Sequence, residues 1–538
     1  MRKETIDMPT PDLTRPDGNP RAVILLERLL AGLLPALAVF VIWLVHRPIG
    51  DLYVALAAGR DIMAGKLGQP DDWSFTADNL VWINQNWGTH LIYYLSYLHL
   101  GEWGLIGVKG VLIAILGIGV TLACRERKVS WAASMTMAAG VILAGKAFID
   151  QRPNLTSLAL DPVMLWLLYR TQKSPHRVWW AMALAGLWAN LHGGFFFGIG
   201  MLGLWTLCQS IPALVANIHR EKGFADALRT TARTYWPMYA ATAGAILLAA
   251  LVTPFGYFQV SDSQTFWRDW NLTHPFIMAR SEVWKQVREW RPILDLSEVR
   301  YGSAWEFVVI LGILGTLGSM RVARVAFGPD RQVGVRHMFT AVLVASVSTL
   351  VCLLSLAALF SPQFDTNTIL RNSRSLTVPQ YARDIIVLGK LMAAMSFCLA
   401  VFGFVGIAKC ASALRKQQDW PDAGRIGTFA FDLLLSMLVI LMAFTSRRFI
   451  PLATIMVAPL VARQLDWLLR TRMIPDKTAA ITGAGIGFIS LAAFVFWGES
   501  ALFMAAGLIA AVHIVSSAFR SEHPFRVIPP GVVVVALA

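Results

Sequence analysis

The sequence predicts an all-α fold, a polytopic bundle of transmembrane helices. The chain has 538 residues, of which 56% are hydrophobic and only 15% are charged, and its mean hydropathy is +0.56. Soluble domains carry roughly a quarter charged residues, so this composition favours lipid as the main solvent. Apolar runs of about 20 residues, the length that crosses the hydrocarbon core, recur along the chain, and positively charged loops separate them.

The apolar runs predict about fourteen transmembrane spans. The clearest runs are residues 29–46, 103–124, 129–149, 195–215, 235–252, 338–360, 385–408, 428–444 and 479–497. Shorter or interrupted runs are residues 155–169, 178–190, 305–320, 449–465 and 501–516. The polar segment before the first run lacks the h-region and cleavage site of a signal peptide, so we expect the first run to be a retained span.

This spacing divides the chain into three parts. Residues 1–28 form a polar tail, residues 29–465 form the main transmembrane domain, and residues 466–538 add a transmembrane hairpin and a second tail. Two long loops lie within the main domain, at about 51–102 and 253–303. Loops of this length in a compact protein usually carry function or local structure of their own.

Positive charge in the short loops orients the chain. The formal net charge is +14, and the basic residues fall in alternate loops, as the positive-inside rule requires. They include Arg125, Arg127, Lys128, Arg170, Lys173, Arg177, Arg220, Arg229, Arg321, Arg324, Lys409, Arg415, Arg470, Arg472 and Arg520. With these loops inside, both termini are cytoplasmic and the two long loops are outside. The charge therefore faces anionic lipid and does not indicate a nucleic-acid partner.

The first outer loop has the pattern of two interfacial helices. In residues 52–64, Leu52, Leu56 and Met63 share one face, which is the spacing of a short helix lying on the membrane surface. Residues 87–100 are too short to span, yet they place leucines and tyrosines at helical spacing. The alternative for these aromatic residues is an interfacial belt with no catalytic purpose.

Two outer turns carry arginine against the positive-inside rule. Arg152 lies in one turn, and Arg447 and Arg448 are adjacent in another. A long basic side chain that reaches the interface explains a single such residue without function. A double arginine at the mouth of a span needs a counter-charge, and phosphate is the natural ligand.

A third outer turn is very short: only a few residues separate the apolar runs 178–190 and 195–215. Asn190 and His192 lie in it, followed by two glycines, so both side chains are expected at or just below the outer surface. The structural alternative is a tight helical hairpin whose glycines let the backbones pack closely. A lone histidine is also often a hydrogen-bonded packing residue.

An ordered set of motifs resembles the GT-C superfamily, membrane glycosyltransferases that use polyprenyl-phosphate-linked sugars. The set covers most of the chain from Asp51 to about Gln464. Its pieces are Asp51, Tyr53, Gly59-Arg60-Asp61-Ile62, Gly65, Pro70-Asp71-Asp72-Trp73-Ser74-Phe75-Thr76, Trp82, Trp87, Arg152-Pro153, Asn190-Leu191-His192-Gly193-Gly194-Phe195, Thr253-Pro254-Phe255-Gly256, Glu289-Trp290 and Arg448-Phe449-Ile450-Pro451-Leu452. The chain departs from the superfamily in having Gly50-Asp51 where an acidic pair often follows the first span.

The resemblance implies a sugar transfer on the non-cytoplasmic face of a bacterial inner membrane. GT-C enzymes have an acidic residue in the first outer loop that is proposed to act as a base or to bind a metal. Asp51 is the best match for the base, with Asp71 or Asp72 second. A divalent metal would bind here only if Asp51 converges with one of the other two, because hard cations take oxygen ligands.

Other residues take their expected roles from the same resemblance. Cations must stabilise the departing lipid phosphate, and Arg152, Arg447 and Arg448 are the candidates. The residues expected to shape the sugar and acceptor pocket are Trp82, Trp87, His90, Asn190 and His192. The implied partners are a polyprenyl-phosphate sugar donor, a glycan, lipid or protein acceptor, and the surrounding membrane lipids.

Two other classes of protein fit parts of the sequence. A secondary transporter or flippase of lipid-linked sugars places its ionisable groups near the membrane midplane, and Asp161, followed by Pro162, lies near the middle of its span. A non-catalytic membrane scaffold predicts neither an outer nor a midplane cavity. The sequence contains no Gly-rich phosphate loop for ATP-driven transport and no Cys/His spacing typical of a metal site.

Overall fold

Apolar helices make up the architecture of this chain. The computed structural model describes residues 36, 39–40, 50–69, 84–146, 148–221, 223–254, 303–327, 334–360, 378–417 and 422–470. The regular elements in these ranges are helices. In lipid a helix satisfies its own backbone hydrogen bonds, which is why apolar runs of this length fold as helices.

Twelve α-helices follow one another in the described ranges. They are α1 (Gly50–Met63), α2 (Trp87–Glu126), α3 (Trp131–Ala144), α4 (Asn154–Thr171), α5 (Val178–Ala189), α6 (Phe195–Arg220), α7 (Phe224–Val252), α8 (Ser303–Phe327), α9 (Val335–Leu359), α10 (Val378–Gln417), α11 (Ala423–Thr445) and α12 (Ile450–Arg470). Short 3-10 helices at Pro175–Arg177 and Arg447–Phe449 lead into α5 and α12.

Seven of the described helical segments are long and apolar enough to cross a membrane. They are Trp87–Glu126, Phe195–Arg220, Phe224–Val252, Val335–Leu359, Met392–Leu414, Ala423–Thr445 and Arg447–Trp467. The chain is therefore a multi-pass, membrane-embedded helical protein, as the hydropathy predicted. The predicted spans 479–497 and 501–516, and most of 29–46, lie outside the described residues.

Gly101 divides α2 into two parts. Its backbone has φ 60° and ψ −142°. This conformation is not helical, and its positive φ favours glycine. A Cβ atom placed on Gly104 would lie 2.1 Å from the carbonyl oxygen of Ser96. Residues eight apart in one straight helix are about 12 Å apart along the axis, so the chain bends back sharply here. Residues 87–100 thus form a helix distinct from 102–126.

The segment predicted as the first outer loop contributes two packed helices. We call α1 and residues 87–100 the first-loop helices. A small core of Leu52, Ala55, Tyr93 and Leu105 holds them together. A Cβ on Gly59 would meet the Cβ of Tyr94 at 2.3 Å, so glycine allows the two backbones to touch. Helices thus occupy both segments that the sequence predicted as interfacial.

The last described helix, α12, lies at the centre of the bundle. It packs against α2, α3, α4, α8 and α11. Of the most apolar 18-residue stretch of this helix, 83% is buried against other helices; the corresponding share in the other six spanning segments is 28–56%. Because α12 begins directly after Arg447 and Arg448, this central position places both arginines in the interior end of the bundle rather than at its lipid-facing edge.

Candidate functional site

Three connections between helices meet at one end of the bundle. The backbone N–H of Gly88 donates to the carbonyl oxygen of Asn190 at 3.1 Å. The hydroxyl of Thr89 lies 2.7 Å from the carbonyl of Leu191 and 3.1 Å from the hydroxyl of Thr156. The start of α2, the turn after α5 and the first turn of α4 are thereby fixed to one another. Most of the described residues predicted as functional lie on these connections.

Asp51 and Arg152 form an ion pair at this end. The Oδ2 atom of Asp51 lies 3.3 Å from Nε of Arg152, and the Asp51 side chain is 60% exposed. The carbonyl oxygen of Arg152 also accepts a hydrogen bond from the hydroxyl of Tyr93 at 3.2 Å. An exposed pair contributes little to stability. Its effect is to orient an accessible carboxylate at the start of α1.

His192 is held in one tautomer by its neighbours. The backbone N–H of Gly194 donates to its Nδ1 atom at 2.9 Å. The hydroxyl of Ser157 lies 2.6 Å from the same nitrogen, and it accepts a hydrogen bond from Nε1 of Trp188 at 2.8 Å. Because a backbone N–H can only donate, Nδ1 must be the acceptor, and the proton of the neutral ring sits on Nε2. His192 therefore presents an N–H donor.

Burial and the neighbouring positive charge both favour the neutral form of His192. Burial is the largest cause that lowers the pKa of His192 from 6.5, and the positive charge of Arg448 and the proximity of His90 add to it. The Nδ1 atom of His90 lies 3.0 Å from the side-chain amide nitrogen of Asn84. His192, His90 and Arg448 thus lie close enough to interact electrostatically at the same end as Asp51 and Arg152. We call these five residues the candidate site.

The paired arginines have different environments. Arg447 is 1% exposed, whereas Arg448 is half-buried. Burying a guanidinium is costly unless protein or ligand acceptors satisfy it, and a ligand would reach Arg447 only from inside the bundle. Arg448 remains accessible and is the better candidate for binding a phosphate. The sequence alone did not distinguish the two.

Several polar atoms at this end lack a hydrogen-bond partner among the described residues. Nε1 of Trp87, the Oδ1 atoms of Asn154 and Asn190, and both amide atoms of Gln151 are buried and unpaired. Gln151 is 0% exposed. Buried polar groups in native proteins are nearly always satisfied by protein, water or ligand. These buried donors and acceptors fit a polar ligand or ordered water at this end of the bundle.

The structure brings together most, but not all, of the predicted site residues. Asp51, Trp87, His90, Arg152, Asn190, His192, Arg447 and Arg448 lie at this end. Asp71, Asp72 and Trp82 lie outside the described residues. In the part of the chain that is described, no group of three or more His, Cys, Asp or Glu residues could hold a metal ion.

Sequence reasoning missed the polar residues that support His192. Ser157, Thr89 and Thr156 each sit inside an apolar run, where a hydroxyl usually bonds to its own helix. The available signal was their position: Thr156 and Ser157 stand at the start of the predicted span 155–169, and Thr89 lies in the segment predicted as an interfacial helix. The Ser157 partner lies 35 residues away and the Thr89 partner 67 residues away, so only tertiary packing reveals the pairs.

An apolar groove lies along α4 and α5, from Arg170 and Arg177 at one end to Leu187 near the other. It has a volume of about 530 Å³, and Trp166, Arg170, Arg177, Trp180 and Leu187 are among its lining residues. None of the candidate site residues lines it. The groove is therefore separate from the cluster around His192.

Comparison of the chain with protein-family models, with curated proteins and with solved structures finds no match.

Proposed function

We propose that this protein is a membrane glycosyltransferase of the GT-C type. It transfers a sugar from a polyprenyl-phosphate-linked donor to an acceptor on the non-cytoplasmic face of a bacterial inner membrane. The proposal includes about fourteen spans with both termini cytoplasmic. One observation carries it: an accessible carboxylate, Asp51, lies at the same end of the bundle as the cation Arg448 and the N–H donor His192.

The proposed reaction is a single displacement. The acceptor hydroxyl oxygen attacks the anomeric carbon of the donor sugar, and the bond from that carbon to the phosphate oxygen breaks with its electron pair going to the phosphate. Asp51 accepts the proton of the attacking hydroxyl, which requires hydrogen-bond reach. The displacement inverts the configuration at the anomeric carbon.

The other residues position the reactants. Arg448 stabilises the negative charge that develops on the departing phosphate, a large term when the cation is fixed in advance. Nε2 of His192 donates a hydrogen bond to a sugar or phosphate oxygen, and Arg152 orients the Asp51 carboxylate. Trp87 and His90 line the sugar side. Asp71, Asp72 and Trp82 are proposed to complete the pocket, and a divalent metal joins only if Asp71 or Asp72 reaches Asp51.

The test of the base is Asp51→Asn in the reconstituted full-length protein. With a polyprenyl-phosphate sugar and an acceptor present, we expect transfer to fall about 10²- to 10⁴-fold, the usual contribution of a positioned proton acceptor. Asp61→Asn is the matched control, because Asp61 lies on the same helix and pairs with the neighbouring Arg60; its activity should stay near that of the wild type. Full transfer by Asp51→Asn would remove Asp51 from the mechanism.

A separate measurement tests the phosphate role. Arg448→Gln should weaken donor binding about tenfold or more, since charge-assisted hydrogen bonds contribute roughly 1.5–3 kcal/mol. Arg60→Gln, at a 61% exposed position on α1, is the control and should bind the donor normally. Equal donor affinity in wild type and Arg448→Gln would exclude this arginine as the phosphate ligand.

The alternative function is a transporter or flippase that uses Asp161. This residue is 3% exposed, and its Oδ1 atom has no hydrogen-bond partner among the described residues. One observation argues against an open cavity at the membrane midplane. A Cβ on Gly119 would lie 2.9 Å from Pro162, so α2 and α4 pack closely there. Flux into proteoliposomes that Asp161→Asn abolishes, with no transfer activity in the wild type, would favour the transporter.

A further inference from the structure

Four arginines come together at the end of the bundle opposite the candidate site. Arg127 follows α2, Arg321 lies late in α8, Arg336 lies in the first turn of α9, and Arg463 lies late in α12. The charge of Arg463 interacts with those of the other three. Along α12, Arg463 is about 22 Å from Arg448, at 1.5 Å per residue. We call these four residues the arginine cluster.

Two carboxylates partly balance the arginine cluster. Asp432, whose side chain is 2% exposed, forms an ion pair with Arg127 and accepts a hydrogen bond from the hydroxyl of Tyr169 at 2.7 Å. Asp466 attracts Arg321 electrostatically and accepts a hydrogen bond from the backbone N–H of Ser130 at 3.2 Å. Among the residues that the structure describes here, four guanidinium groups face two carboxylates, which leaves an excess of two positive charges.

The charges around Arg463 and Arg321 are unfavourable as the cluster stands. Arg463 has three like charges and one opposite charge, that of Asp432, among its electrostatic neighbours. Arg321 has the like charge of Arg336 beside the opposite charge of Asp466. Arg336 is exposed and Arg463 is partly buried, so like-charge repulsion is strongest at Arg321, the buried member of the cluster. An anion between these side chains would convert the repulsion into attraction.

Arg321 also carries an unsatisfied donor. Its side chain is 8% exposed, and it lies over the ring of Trp467 at 5.9 Å. Its Nε atom is buried and has no hydrogen-bond acceptor among the described residues, and the same holds for Nε of Arg127. A buried donor attached to a charged group costs more free energy when unpaired than a neutral one. Two such N–H groups in one cluster of excess positive charge indicate a missing acceptor.

We propose that the arginine cluster binds a phosphate group. The planar guanidinium presents paired N–H donors that match phosphate oxygens, and a doubly charged phosphate equals the excess charge of the cluster. The group comes either from the headgroup of an anionic phospholipid or from a soluble phosphate compound. The site is independent of the glycosyl transfer proposed for the other end of the bundle.

The test measures binding of two probes to the full-length protein, purified in an uncharged detergent without phosphate. One arm titrates inorganic phosphate, and the other adds phosphatidylglycerol, with phosphatidylcholine as the uncharged reference. We expect one probe to raise the thermal unfolding temperature of the wild type and to show saturable binding. Arg463→Gln and Arg336→Gln should each weaken that binding about tenfold, the loss of one charge-assisted contact.

The matched control is Arg425→Gln. Arg425 lies on α11, is 72% exposed and pairs only with Asp422 among the described residues, so its variant should bind like the wild type. Binding of inorganic phosphate identifies a soluble ligand, and binding of phosphatidylglycerol alone identifies a lipid headgroup; either supports the site if the arginine variants weaken it. Absence of binding to both probes, or equal binding by wild type and Arg463→Gln, overturns the proposal.

Discussion

Ser157 links two side chains that come from neighbouring helices. Its hydroxyl accepts a hydrogen bond from the Trp188 indole and lies within hydrogen-bond distance of Nδ1 of His192. Because the N–H of Gly194 already makes Nδ1 the acceptor, the Ser157 hydroxyl donates to the same nitrogen and holds the ring in place. The orientation of a site residue therefore depends on a hydroxyl inside α4 that the sequence did not single out.

The first prediction concerns that hydroxyl. Ser157→Ala leaves the N–H of Trp188, which is 0% exposed, without an acceptor, and an unpaired buried donor costs about 1–3 kcal/mol. We expect a lower thermal unfolding temperature in detergent, measured by intrinsic fluorescence. Ser210→Ala is the control, since the Ser210 hydroxyl makes only a 3.5 Å contact with the Leu207 carbonyl in its own helix.

The double variant separates loss of a bond from loss of packing. In Ser157→Ala combined with Trp188→Phe, both polar partners are absent, and replacing both is often nearly neutral. Part of the lost stability should return. A double variant that is less stable than the sum of the two single changes would contradict the assignment of the cost to an unpaired indole N–H.

Single residues also show where sequence reasoning stopped. Asp51, Arg152 and His192 were predicted from charge and turn position, and the structure places all three at one end of the bundle. Arg447 and Arg448 looked equivalent because adjacent residues share the same sequence signal. Only packing separates them, since the residue that points into the bundle depends on how the 3-10 turn enters α12.

At the scale of elements, the contact between α2 and α5 depends on a missing side chain. Gly88 lies against the carbonyl of Asn190, and a Cβ there would be 2.4 Å from that oxygen. The same glycine donates its N–H to that carbonyl at 3.1 Å. One small residue thus allows the approach and supplies the hydrogen bond.

The second prediction tests this contact. Gly88→Ala should lower the unfolding temperature and separate Trp87 and His90 from Asn190, because a backbone oxygen cannot move aside as a side chain can. Gly107→Ala is the matched control: Gly107 lies in the same helix with nothing within 4 Å of the added Cβ. Alanine exceeds glycine in helix propensity by about 1 kcal/mol, so the control should be as stable as the wild type or more so. Equal stability of the two variants would show that the contact is not tight.

Helix existence was more predictable than helix arrangement. Hydropathy located the helices because a chain in lipid must satisfy its backbone bonds within each segment. The bend at Gly101 was missed as a feature of the backbone, although residues 87–100 were predicted as a separate helix. The central position of α12 was not predicted, since its apolar pattern differs little from that of spans that face lipid.

At the scale of the whole molecule, the two ends of the bundle carry different chemistry. One end has the candidate site with a single exposed carboxylate. The other has the arginine cluster and the ion pairs of Glu126 with Arg170 at 3.7 Å and with Lys173 at 2.5 Å. By the positive-inside rule, we expect the second end to face the cytoplasm.

The third prediction tests that orientation. In a background without the native cysteines, Arg60→Cys on α1 should react with a membrane-impermeant maleimide in intact cells. Arg229→Cys on α7 should react only after permeabilisation; both positions are exposed, at 61% and 65%. The reverse labelling pattern would invert the proposed topology and move the candidate site to the cytoplasm.

The bend at Gly101 separates the first-loop helices from the spanning part of α2, so the two parts can change in sequence separately. The first-loop helices hold Asp51, Trp87 and His90; they share a small core of their own, and Gly88 and Thr89 bond them to the bundle. Arg448 and His192 belong to the bundle itself. Substitutions in the first-loop helices away from Gly88 and Thr89 would therefore alter what the Asp51 carboxylate meets while the spans keep their packing. Under the proposed glycosyl transfer, a chimera that exchanges this segment between two such proteins should transfer acceptor preference and leave donor preference with the recipient.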